Sequence, residues 1–100
     1  MDFKWDADKA TANFKKHGVH FSDAIGVLED ELALTIRDPY SEEEERWITL
    51  GLDMFNRLLV VVYVWRGETV RFISARRATS REQREYRGVD LTRHPNEEKS

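Results

Sequence analysis

The sequence predicts an α+β fold: an antiparallel β meander with N-terminal helices packed on one side of it and a further helix at the C-terminus. Two observations lead there. Residues 7–29 place apolar side chains at helical spacing, and residues 31–76 switch to period two with turn residues between the runs. A third is length: 100 residues suit one domain with a single core.

The elements follow in order. Phe3-Lys4-Trp5 alternates as a short first strand. Asp6 or Asp8 caps a helix running to about His17, because a carboxylate accepts the orphan N–H groups of the first turn, and Gly18 suits its C-terminus. Ala7, Ala10 and Phe14 share its inner face. Ser22 is the expected N-cap of a second helix ending near Glu29, with Phe21, Ala24, Ile25 and Leu28 on one stripe.

From Glu31 to Asp38, Leu32, Leu34 and Ile36 alternate with wettable residues. Asp38-Pro39-Tyr40-Ser41 turns into the charged loop Glu42–Glu45. Arg46–Leu52 is the next strand and Asp53–Arg57 the next turn. Leu58–Trp65 is apolar on both faces, as a central strand is. Gly67-Glu68 leads into Val70–Arg76. Thr79-Ser80-Arg81-Glu82 fits a capping box for a polar helix from Ser80 to Arg87, stopped by Gly88. Residues 1–88 then form the domain, and 89–100 a disordered tail.

Composition narrows the function. With no cysteine there is no disulfide and no thiol nucleophile. The N-terminus lacks a signal peptide's apolar segment, and no run is long enough for a bilayer, so the expectation is a soluble, cytoplasmic chain with no membrane partner. The formal charge of −3 is unevenly divided: residues 1–53 carry −7 and residues 54–93 carry +5. The basic half gathers Arg76, Arg77, Arg81 and Arg84 where the last strand meets the last helix, which suits a polyanion or an acidic partner.

Several spaced elements resemble the BrnT family of type II toxins. They are Trp5-Asp6, Lys9, Asn13, Lys16-His17-Gly18-Val19, Phe21 and Ala24, then Glu45-Arg46, Val61-Val62-Tyr63 with Arg66, and Ile73-Ser74-Ala75-Arg76-Arg77-Ala78. The resemblance implies a bacterial endoribonuclease toxin with a RelE-like microbial ribonuclease fold. It implies a BrnA-type antitoxin that neutralises the toxin, carries the DNA-binding domain and represses the shared promoter. Two toxins and two antitoxins in a heterotetramer are the expected arrangement, with operator DNA reached only through the antitoxin.

Metal-free RNA cleavage takes the 2′-OH as nucleophile, so it needs a base, an acid and positive charge beside the anionic phosphorane. No dense Asp/His grouping suggests a two-metal nuclease, and no cofactor is expected. Arg76 is the preferred catalytic arginine, and Arg77 a substrate-binding one, because a guanidinium matches phosphate oxygens and keeps its charge. Strand alternation would set Val70, Phe72, Ser74 and Arg76 on one face, opposite Arg71, Ile73, Ala75 and Arg77. Arg66, ending the central strand, is a second catalytic candidate or a solvated strand end. Glu45 is either general base or the carboxylate that orients an arginine, with Arg46 beside it for substrate. His17 suits proton transfer, since an imidazole titrates near neutral pH, but a cationic helix C-terminus is the stronger reading. Lys16 and Tyr86 are candidates for phosphate contact and base stacking, although Tyr86 is the one large apolar residue able to pack the last helix. Without catalysis, the same surface would serve an antitoxin-binding module or a plain RNA-binding protein.

Overall fold

Five strands form one mixed sheet in the computed structural model, which describes residues 1–91. The elements are β1 (Asp2–Lys4), α1 (Ala7–His17), α2 (Phe21–Ala24, continued by a 3₁₀ turn over Ile25–Glu29), β2 (Leu34–Arg37), β3 (Trp47–Leu52), β4 (Leu58–Arg66), β5 (Thr69–Arg77) and α3 (Ser80–Leu91). Their order across the sheet is β1-β5-β4-β3-β2. The apolar Leu58–Trp65 segment therefore is the central strand, as expected. The meander β2–β5 is antiparallel, but β1 pairs parallel to β5, so the sheet is not the purely antiparallel one expected. The α1–α2 excursion carries the chain from β1 at one edge of the sheet to β2 at the other, and the meander then returns to place β5 beside β1.

The helices also differ from the one-sided arrangement. One core lies under α1 and α2, built on Phe21, Leu59, Val61, Val70, Phe72 and Ala75. A smaller core lies on the other face, where Tyr86 of α3 meets Leu50 and Val60. Apolar residues on both sides of β4 require cover on both faces, and α3 supplies part of it through one aromatic anchor.

Local chemistry explains the boundaries. Asp6 caps α1 by accepting from the N–H groups of Asp8 and Lys9, and Gly18 ends it at φ 72°, where a side chain would be strained. The buried residue of α1 is polar: Asn13, not the Phe14 that periodicity favours. Phe14 stays outside and stacks on His20 at 4.0 Å. The second helix begins one residue early, at Phe21, and Ser22 does not cap it. Gly51 lets the 3₁₀ turn press on β3, because a Cβ there would come within 3.1–3.2 Å of Ala33, Asp30 and Val27. Trp5 packs on Phe21 and Phe72, Trp47 joins the same core, and Trp65 is partly exposed.

The capping box at Thr79 and Glu82 forms in both directions. Gly88 does not stop α3, which runs on to Leu91. The domain boundary expected at residue 88 thus falls inside a helix, and the disordered tail expected after it lies, from residue 92, outside the described residues.

Candidate functional site

The strand that carries Arg76 and Arg77 contains a β-bulge. Val62 pairs with Ser74 but Tyr63 pairs with Phe72, so Ile73 is an extra residue. The bulge inverts the alternation beyond it. Val70, Phe72 and then Ala75 face the larger core, whereas Arg76, opposite Val60, faces the smaller one with α3. Arg76 and Phe72 are therefore on opposite faces, contrary to simple alternation.

Asn13 fixes the end of β5. Its side-chain amide donates to the carbonyls of Ala75 and Val19, both at 2.9 Å, and its oxygen accepts from the Ala75 N–H at 3.1 Å. The carboxamide thus satisfies both backbone groups of Ala75, as a neighbouring strand would. It ties α1, and with it Lys16 and His17 in the last turn, to the residue just before Arg76. His17 is half-buried and Lys16 exposed.

Arg76 is gripped end-on. Its Nη1 and Nη2 donate to both carboxylate oxygens of Glu82 at 2.9 and 2.8 Å, and Nη1 also donates to the Arg77 carbonyl at 3.2 Å. The hydrogen bond from Arg76 is the main cause that holds the Glu82 carboxyl down at about 2, with the Thr79 backbone and hydroxyl adding to it against the cost of burial. A guanidinium has five N–H donors. Among the described residues three are used, and the remaining pair, Nε–H and the second N–H of Nη2, lies along one flank. The side chain is 38% exposed and opens onto a groove floored by Leu34, Ile48, Leu50, Val60 and Val62.

A second charged group sits at the other end of the sheet. Arg66 donates from Nε and Nη2 to both oxygens of Glu44 at 2.9 and 3.0 Å, which raises its own pKa and lowers that of Glu44. Glu45 pairs with Arg37 at 3.2 Å and Arg46 with Asp38 at 3.6 Å. Arg66 lies opposite Thr69, whereas Arg76 lies opposite Val60. Six residues of β4 separate the two, or about 20 Å of strand. The structure does not gather Arg66, Glu45 and Arg46 with Arg76.

Tyr86 is buried, and its hydroxyl donates to Asp30 at 2.7 Å. Burial pushes the Asp30 carboxyl up, but donors from Leu52, Tyr86 and Leu32 outweigh it, and the group ends below its ordinary value. Asn13, Asp30, Glu44 and Glu82 were missed as organising residues. The capping box did mark Glu82, though as a helix signal only. Among the described residues, no group of three His, Cys, Asp or Glu is arranged to hold a metal. None of their helices is long and apolar enough to cross a membrane.

A family model described as the ribonuclease toxin BrnT of type II toxin–antitoxin systems matches residues 5–82. The chain belongs to the BrnT toxin family. The structure is similar to the crystal structure of the Brucella abortus ribonuclease toxin BrnT, with a TM-score of 0.61 and 25% sequence identity. That match covers 80% of this chain and 99% of the Brucella one. No curated protein sequence matches. The matched segment ends at Glu82, so the rest of α3 lies beyond it.

Proposed function

We propose that this BrnT-family chain is an endoribonuclease toxin that cleaves RNA by attack of the 2′-OH, without a metal, in a fold of the RelE-like ribonuclease kind. The observation that carries the reading is Arg76: a guanidinium clamped by Glu82 and the Arg77 carbonyl, with a parallel pair of N–H donors left at the mouth of a groove. Such a pair matches two phosphate oxygens and costs no reorganisation as charge builds on the phosphorane. Arg77 holds an adjacent phosphate. His17, on the helix that Asn13 ties to the same strand end, serves the proton transfers, and Lys16 beside it adds positive charge.

The remaining site residues take roles away from the bond that breaks. Arg66 and Arg46 contact RNA further along the sheet, Glu45 orients Arg37, and Tyr86 anchors α3. A DNA-binding BrnA-type antitoxin neutralises the toxin in the cytoplasm, in a heterotetramer of two copies each that represses their promoter. Residues 1–88 suffice as the toxin domain.

The test is cleavage of total RNA in EDTA by folded wild type and by Arg76→Ala. The expected result is cleavage by wild type and a loss of about a hundredfold or more in the variant. Equal cleavage by both would remove Arg76 from the site, and none by either would leave a binding module.

A further inference from the structure

The flank of α3 turned away from Glu82 borders a second cleft, of about 310 Å³, closed on its other side by the β3–β4 turn. Arg77 and Arg87 line it, with the carboxamides of Asn56 and Gln83 and an apolar floor from Leu52, Leu58 and Tyr86. Charge pairing divides the arginines into two groups. Arg37, Arg46, Arg57, Arg66, Arg76 and Arg81 each have a carboxylate within 4.0 Å. Arg71, Arg77, Arg84 and Arg87 have none among the described residues, and of these four Arg77 and Arg87 line the cleft.

We infer that this cleft is a nucleotide subsite for single-stranded RNA, in which Arg77 and Arg87 take backbone phosphates while Asn56 and Gln83 read the edge of a base laid on Leu52 and Leu58. The inference rests on the ribonuclease reading above and adds where the substrate chain leaves the Arg76 centre. Three features favour RNA over an acidic protein segment. The cleft offers donors and acceptors together, which a base edge uses and a carboxylate does not. Its floor is apolar and of a size that suits a planar ring. Arg76 and Glu82 line the groove on one flank of α3 while Arg77 and Gln83 line this cleft on the other, so the two arginines flank the start of α3. Gln83 and Arg87 lie beyond the family-matched segment, so the subsite would give this toxin a base preference of its own.

The test is equilibrium binding of 2′-O-methyl oligoribonucleotides, which cannot be cleaved, to the full chain. Four variants are compared: Arg77→Ala, Arg87→Ala, Asn56→Gly and Gln83→Met. Asn56 has φ 63°, so glycine keeps its backbone, and methionine keeps the helix at residue 83. Arg84→Ala removes the same charge from an exposed residue of α3 that does not line the cleft. The expected result is a loss of about tenfold for each cleft arginine. Each should also lower the salt slope by about 0.7. The carboxamide variants flatten the preference among homopolymers. Equal loss in Arg84→Ala would overturn the subsite, as would unchanged binding in the arginine variants, weakened antitoxin binding alone, or no oligonucleotide binding by wild type. Oligonucleotide binding by a wild type that leaves total RNA intact would refute the ribonuclease reading and leave the subsite standing.

Discussion

At the residue scale, Glu82 shows how one side chain joins folding to chemistry. Its Oε1 accepts from the Thr79 N–H to close the capping box of α3, and Oε1 and Oε2 together fix the plane of Arg76. Its carboxyl is held at about 2, against an ordinary 4.5. A depressed carboxyl stabilises the fold above its unfolded pKa and loses that contribution as pH falls through the folded value. Wild type should therefore lose thermal stability between about pH 4.5 and 2 relative to Glu82→Gln, in which glutamine keeps the cap without the charge. Parallel melting curves across that range check it, and coincident curves would remove the linkage. At neutral pH the same variant should cleave RNA more slowly, and lose nothing further in an Arg76→Ala background, because it acts through Arg76. Asn13 is the other decisive residue. Asn13→Ala leaves the N–H and C=O of Ala75 and the carbonyl of Val19 without their side-chain partner, at a cost of about 3 kcal/mol in urea unfolding.

At the scale of elements, period-two and helical spacing were enough to place every strand and the three helices to within a few residues. The signal failed where a tertiary contact overrides local preference. Phe14 satisfied the helical stripe, yet α1 buries Asn13, because the open edge of β5 needs a hydrogen-bonding partner more than the core needs a ring. The bulge at Ile73 has no sequence signature, and it alone reverses the face of Arg76. Gly88 ended a helix on paper but continues one in the fold. The polarity of α3 leaves it little to bury, and its anchor is Tyr86. Tyr86→Phe keeps the ring and deletes the bond to Asp30, so it should cost about 1.5 kcal/mol. Tyr86→Ala also strips the ring from Leu50 and Val60 and should cost about 3 kcal/mol or more. Chemical denaturation separates the two, and equal losses would mean that the hydroxyl alone holds α3.

At the scale of the whole molecule, the family motifs name candidate residues without revealing their distribution. Arg66 and Arg76 share the face of β4 that carries Val60, and spacing along the chain cannot show that an antiparallel hairpin sends them to opposite ends. About 20 Å of strand rules out both guanidiniums on one phosphate. A single RNA strand lying along the sheet can touch both, which yields a length-dependent prediction. Arg66→Ala should leave the cleavage of a dinucleotide unchanged and slow that of a longer oligonucleotide, whereas Arg76→Ala should slow both by about a hundredfold. With no shared partner and this separation, the two losses on a long substrate should add to within about 0.5 kcal/mol. Cleavage rates for a dinucleotide and a dodecamer, in wild type, both single variants and the double variant, decide the matter. If Arg66→Ala impairs the dinucleotide as severely as Arg76→Ala does, the chemistry lies at the Glu44 end of the sheet, and the groove beside Glu82 holds only the flanking chain.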